Sequence, residues 1–387
     1  MSKFFRVHYS LASTVSLFDA AENIAIGQSV GNPKVRNGWE TPELWDRAGC
    51  RIEGDTEQMK NVKEGNVWIA FPLANIDLAT DGVSQLLCHI MGGQLDINTI
   101  TRCVVLDLDI PKDVVSRYFL GPKYGIQKVR EFTGVYNKPL LGGIVKPKVG
   151  IYKETLLEIV KQLVEGGVNF IKEDEIMANP EHCPLEERVP LICDYLKGKN
   201  VVYCFCINGD PDIVLERVKF VAAHGGNGVH VNFWCGIGLY KRIRELDLPV
   251  FVHYQKSGIT ILSDVRNPFH IEWSVFCKLA GMCGVDFIHA GMMGGYSDND
   301  RDEMTRVFNE LRPYGVVPAL SCGMHPGLVD AICASIGFDW MANCGGGIHG
   351  HPQGTLAGAK AMRQAIDHTY GPEYDSAIQK WGKVDKI

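Results

Sequence analysis

The 387 residues hold 39 Lys and Arg against 45 Asp and Glu, a formal net charge of −6, with 46% hydrophobic and 22% charged residues. That composition is globular and excludes a disordered chain; with no basic run it also excludes an electrostatic footprint for nucleic acid or an anionic membrane. No window of about 18 consecutive apolar residues reads as a transmembrane helix. The thirteen cysteines are odd in number and lack framework spacing or a C-x-x-C pair, and MSKFFRVHYS lacks the long apolar core of a signal peptide. Free thiols in a reducing cytoplasm are therefore expected, with Cys204, Cys206, Cys277 and Cys283 as small core residues.

From the amino terminus, Phe5–Leu11 alternates as a strand, Leu17–Ile26 has helical periodicity, and Asn66–Pro72 reads as a second strand. Val83–Met91 follows as a helix and Arg102–Ile110 as a strand stopped by Pro111. Interleaved in this way, residues 1–137 form a small α+β, ferredoxin-like domain. A helix around Val129–Phe132 leads to the junction at Lys138-Pro139.

Residues 138–387 are strictly periodic. Eight strand candidates (Leu140–Lys146, Val168–Asp174, Val201–Ile207, Gly228–Phe233, Pro249–Tyr254, Val285–His289, Val317–Ser321 and Trp340–Gly345) alternate with helical stretches. The helices include Lys153–Glu165, Pro211–Ala223, Ile271–Cys283, Asp302–Leu311, Leu328–Ile336 and Leu356–Tyr370, with Leu239–Glu245 the thinnest. Alternating units over this length predict an eight-stranded parallel (β/α)8 TIM barrel, for which about 250 residues is typical.

In such a barrel the chemistry belongs at the carboxyl ends of the strands. The second strand supplies the densest cluster, Lys172-Glu173-Asp174-Glu175. Alternation puts Phe170, Lys172 and Asp174 on one face and Ile171 and Glu173 on the other, with Glu175 at the exit. Three carboxylates and a lysine at the end of a buried strand call for a cation, and hard oxygen ligands suit Mg2+. The other strands end in Lys146-Pro147-Lys148, His253, His289-Ala290-Gly291, Ser321-Cys322-Gly323 and Gly345-Gly346-Gly347, so polar residues and glycines gather on one rim. After the last strand, bare backbone N–H groups at Gly345-Gly346-Gly347 form an anion nest at the start of a helix, and phosphate is the expected guest. His349 and His351 lack a third ligand nearby for zinc.

With these motifs in order, the chain resembles the large subunit of ribulose-bisphosphate carboxylase, and more closely the RuBisCO-like proteins. The likeness runs through Gly121-Pro122-Lys123-Tyr124-Gly125, Val145-Lys146-Pro147-Lys148-Val149-Gly150, Gly166 to Glu175, His289-Ala290-Gly291, and Gly345 to Pro352. It implies that CO2 carbamylates Lys172 and that the carbamate holds Mg2+ with Asp174 and Glu175. It further implies Lys146 as the acid/base lysine, Lys148 as its neighbour supporting the carbamate, and His253 as the histidine of the fifth strand. His289, Ser321, Gly323, Gly345 and Gly346 match positions that hold phosphate or substrate oxygens. A homodimer with shared active sites is implied as well.

The departures from the family pattern bear on function. The mobile loop after strand six reads Gly291 to Ser297, with Tyr296 near the place of the carboxylase lysine, and a phenol does not replace a cationic point charge. The glutamate that anchors this lysine falls at Gly27, the Thr-Trp clamp on a second phosphate at Asn32-Pro33, and an asparagine beside the metal at Gly93. The resemblance thus implies no CO2 fixation and a substrate with one phosphate. End to end the chain is similar to the methionine-salvage enolase, which acts on 2,3-diketo-5-methylthiopentyl 1-phosphate; Lys380-Trp381-Gly382-Lys383 and Gly323-Met324-His325-Pro326-Gly327 carry that likeness. The basic lysine of that enolase is replaced by Gln94, whose amide has no useful basicity. The expected activity is Mg2+-assisted enediolate chemistry, first as decarboxylation of a 3-keto sugar acid such as 3-oxo-isoapionate 4-phosphate. The alternatives are the salvage tautomerisation, isomerisation of 5-methylthioribulose 1-phosphate, and a catalytically silent sugar-phosphate binder.

Overall fold

The computed structural model describes residues 2–296 and 298–387; Ser297, named above in the loop reading, lies outside the described residues. Thirteen strands are present among the described residues: β1 (Phe4–Ser13), β2 (Arg51–Glu53), β3 (Glu64–Pro72), β4 (Ile100–Asp109), β5 (Leu140–Ile144), β6 (Phe170–Lys172), β7 (Val202–Cys206), β8 (Gly228–Asn232), β9 (Phe251–Gln255), β10 (Phe269–Ile271), β11 (Phe287–Gly291), β12 (Val317–Leu320) and β13 (Met341–Cys344). By compactness the chain divides into one unit up to Leu120 together with Gly258–Met282, and a second of Gly121–Ser257 with Cys283–Ile387.

The first unit is a five-stranded sheet in the order β10-β4-β1-β3-β2. Within it β4-β1-β3-β2 is the strand order of a ferredoxin-like fold, with β1 antiparallel to both β3 and β4. Alternation along β1 buries Phe5, Val7, Tyr9 and Leu11 on one face. The phenol of Tyr9 is not left bare in that core, since its hydroxyl donates to Ile90 O at 2.7 Å. The fifth strand, β10, is parallel to β4, pairing Phe269 with Cys103 and Ile271 with Val105. It comes from the connection after the fifth barrel strand, where the sequence suggested only a helix from Ile271 to Cys283; the helix itself is Trp273–Met282.

The second unit is a closed parallel barrel, β5-β6-β7-β8-β9-β11-β12-β13, with the last strand pairing back on β5. All eight strands fall where the periodicity placed them. Strands β7, β8, β9 and β11 are buried at every residue, as parallel strands covered on both faces must be. The first residues of seven strands, Leu140, Phe170, Val202, Phe251, Phe287, Val317 and Met341, meet in one apolar cluster with Val129 and Val135. Helix Gly125–Thr133 therefore plugs the amino-terminal end of the barrel, with Tyr124 and Phe132 against Phe251. The sequence places the domain line at 137/138; by packing, this helix goes with the barrel. With that end closed, the open end is the carboxyl rim.

Candidate active site

At the rim the charged run after β6 splits in two. Glu173 points away from the barrel axis and is fully buried, as is Arg188 of helix Leu185–Leu196. Arg188 Nε donates to Glu173 Oε1 at 2.9 Å and its Nη2 to Oε2 at 3.0 Å. The Tyr203 hydroxyl donates to Oε1 at 3.1 Å and the Cys206 amide to Oε2 at 2.7 Å. Both oxygens of Glu173 are satisfied by the chain itself. This carboxylate is a structural brace between β6, β7 and their connecting helix.

Its neighbours face the cavity. Lys172 and Asp174 are 1% and 2% exposed. Lys172 Nζ lies 3.9 Å from Glu175 Oε2 and donates to Glu173 O at 3.3 Å. Burial pushes the Lys172 ammonium below its ordinary pKa, against the opposing fields of Glu175 and Asp174, which favours the neutral amine that can attack an electrophile. Lys146, just past β5, places Nζ 2.5 Å from Asp174 Oδ2. The other oxygen, Asp174 Oδ1, is buried with no hydrogen-bond partner among the described residues. A buried carboxylate oxygen left unpaired is costly, and a bound cation or an incoming donor is the usual remedy.

These groups line a cavity of about 590 Å3 with Lys148, His289, Ser321, Gly323, Gly345 and Gly346. Ser321 Oγ and His289 Nε2 are 2.7 Å apart. Burial, reinforced by the fields of Lys256 and Lys172, holds His289 well below the usual imidazole range, so it is neutral at pH 7. Gly345 precedes the short helix Gly346–His349, and at Gly347 a Cβ would lie 2.1 Å from Met324 O, so only glycine fits. The turn after β12 thus packs directly against the glycine nest.

A ribulose bisphosphate carboxylase large chain, catalytic domain, family model matches residues 125–316 and 308–386. The chain belongs to the ribulose bisphosphate carboxylase large-chain family. It is 31% identical to ribulose bisphosphate carboxylase of Pyrococcus furiosus over 97% of this chain and 93% of that protein. It is 29% identical to 2,3-diketo-5-methylthiopentyl-1-phosphate enolase of Geobacillus kaustophilus over 97% of this chain and 98% of the enolase. Among solved structures, the sulfate complex of octameric Rubisco from Pyrococcus horikoshii superposes with a TM-score of 0.87 at 28% identity, covering 98% of this chain and 94% of that one.

Of the residues singled out for this RuBisCO-family site, the structure brings together Lys146, Lys148, Lys172, Asp174, Glu175, His289, Ser321, Gly323, Gly345 and Gly346. His253 is not on the cavity wall. It is fully buried inside the barrel, edge-on to His230 with ring centroids 5.4 Å apart and 5.6 Å from the ring of Phe170. The reason is period two: Phe251, His253 and Gln255 share a face of β9, and the strand runs one residue further than the sequence suggested, which puts Gln255 at its end. Gln255 is the rim residue, donating from Nε2 to Glu175 Oε2 at 3.3 Å and to Ser257 Oγ at 2.6 Å.

His349 and His351 are committed to the fold. His349 sits 2.9 Å from Ile144 O and 3.0 Å from Thr355 Oγ1, and burial pushes its pKa down to about 4. His351 Nε2 is 2.9 Å from Glu373 O, and Nδ1 accepts from the Gln353 amide at 3.1 Å. In the first unit the Gln94 side chain lies against Gly27, so the position expected to depart from the salvage enolase and one expected to depart from the carboxylase are neighbours there. Sequence reasoning missed Gln255, Ser257, His325 and Trp381 as cavity residues, and gave Cys322 a place on the rim but no role. For Trp381 the signal was present, because Lys380-Trp381 is part of the likeness to the salvage enolase.

Proposed function

We propose that the protein is a Mg2+-dependent, enediolate-forming enzyme acting on a keto compound with a single phosphate, and that it does not fix CO2. The observation that carries this reading is the arrangement around Asp174: Oδ2 is 2.5 Å from Lys146 Nζ while Oδ1 is buried and unpaired, beside the buried Lys172 and the rim carboxylate Glu175. The donor set fits the metal. Asp174, Glu175 and a CO2 carbamate on Lys172 would hold Mg2+, which when bound polarises two adjacent substrate oxygens. The glycine nest at Gly345 and Gly346, with Gly323 and Ser321 beside it, would seat the phosphate. The shared active sites of a homodimer belong to the same proposal; the Pyrococcus horikoshii Rubisco is described as octameric.

Decarboxylation of a 3-keto sugar-acid phosphate, such as 3-oxo-isoapionate 4-phosphate, needs no separate base. The C–C bond to the carboxylate breaks, its electron pair enters the enediolate, CO2 leaves, and an N–H of Lys146 protonates the carbon. His289, neutral and hydrogen-bonded to Ser321, orients a substrate oxygen without adding charge. A second reading, tautomerisation of a methylthio diketone phosphate, is favoured by the enolase relatives and by Trp381 on the cavity wall.

The test is incubation with Mg2+ and bicarbonate in deuterated buffer, with 3-oxo-isoapionate 4-phosphate and the two methylthio sugar phosphates, followed by NMR. Release of CO2 with one deuterium incorporated is expected. Rearrangement or deuteration of a methylthio substrate without CO2 release moves the protein to the second reading. Turnover that survives Lys172→Ala unchanged overturns both.

A further inference from the structure

Cys322, between Ser321 and Gly323 in the turn after β12, contributes to the cavity wall. Cys322 Sγ lies 3.8 Å from His289 Nε2, and the residue lines the same cavity as Asp174. That the cavity is built for a ligand rests on an independent observation, the buried and unpartnered Asp174 Oδ1 on its wall. Cys322 has φ +78°, a left-handed conformation that glycine adopts freely and a residue with a Cβ adopts at a cost. The next residue, Gly323, has no such choice, because a Cβ there would lie 2.6 Å from Tyr296 N. The chain thus carries a side chain at a position of this turn where a glycine would sit without strain.

We propose that Cys322 is a specificity-determining residue whose thiol faces the carbon chain of the substrate and selects against a hydroxyl group there. The proposal rests on the phosphate-nest reading above and names the substrate class more closely: a phosphate ester whose carbon facing Cys322 is a methylene or a carbonyl. A thiol is a weak donor and a weak acceptor but packs well against apolar or polarisable groups. A substrate hydroxyl turned toward it loses hydrogen bonds to water and gains poor replacements, whereas a methylene or thioether loses nothing.

Two measurements test this. The first needs no substrate: native protein is treated with iodoacetamide, with and without inorganic phosphate, and alkylation of Cys322 is followed by peptide mass mapping while phosphate binding is measured by calorimetry. Alkylation of Cys322 slowed at least fivefold by bound phosphate is expected. Phosphate that binds without protecting Cys322, or a Cys322 that is inert in the native protein, overturns the proposal; failure of phosphate to bind at all counts instead against the nest. The second compares kcat/KM for hydroxylated and methylthio or deoxy phosphates in wild type, Cys322→Ser and Cys322→Gly. The glycine variant suits the left-handed turn, so its folding is not in question. A shift of about tenfold or more toward the hydroxylated substrate in Cys322→Ser, with a smaller shift in Cys322→Gly, is expected. An unchanged ratio in both variants overturns the assignment.

Discussion

Glu173 and Asp174 are consecutive acidic residues, both buried, yet the structure uses them in opposite ways. Glu173 is saturated by Arg188, Tyr203 and the Cys206 amide. Asp174 has one oxygen on Lys146 and the other unpaired. Burial alone therefore does not mark a functional carboxylate; the state of its hydrogen bonding does. A saturated carboxylate holds the fold, and an unsaturated one is waiting for something.

The comparison can be broken first on the functional side. Asp174→Asn keeps the shape but removes a charge from the cation cradle and from Lys146, and a fall in turnover of about 10³-fold or more is expected, with a melting temperature close to wild type. A variant that lost stability and kept activity would reverse the roles assigned to the pair. On the structural side, Arg188→Met leaves Glu173 buried without its counter-ion and should cost about 3–5 kcal/mol in urea denaturation. Adding Glu173→Gln should recover most of that, because the uncompensated charge is the damage.

A third effect concerns pH. Burial holds His349 down to about 4 in the folded protein, against about 6.5 for an ordinary histidine. As pH falls, the unfolded chain takes up this proton first, so the stability contribution is complete above about 6.5 and disappears on the way down to about 4. Its size is about 3 kcal/mol, and burial of His230, His253 and His289 acts in the same direction. Unfolding free energy measured between pH 7 and 4 should fall accordingly, and His349→Gln should flatten the fall. The smallest effect expected is a gain: Cys322→Gly relieves a left-handed side chain and should stabilise by about 1 kcal/mol.

Much of this is legible in the sequence, for physical reasons. Parallel strands buried on both faces give apolar runs, and the eight runs beyond Pro139 map onto the eight barrel strands. Period two also separated Glu173 from Lys172 and Asp174. What it could not give was depth. His253 and Gln255 share a face of β9, and nothing local says which of the two is level with the rim. Helix Leu185–Leu196 was not singled out, since Pro190 and its acidic first turn blur the periodicity. Strands β2 and β10, at three residues each and without the buried apolar run that marks the equally short β6, gave no pattern. Cys322 was legible as part of the rim run Ser321-Cys322-Gly323 but its conformation was not, because a left-handed backbone is not written in residue type unless the residue is glycine.

Strand β10 also constrains how the molecule is made. The amino-terminal sheet takes this strand from beyond residue 257, after five barrel strands have been synthesised. Until then the edge of β4 that pairs with Phe269–Ile271 is bare, and an exposed edge invites pairing with another chain. A nascent or truncated chain ending near residue 120 or 137 is thus a sheet missing its border, prone to association, and not a free-standing module that could be borrowed for another protein.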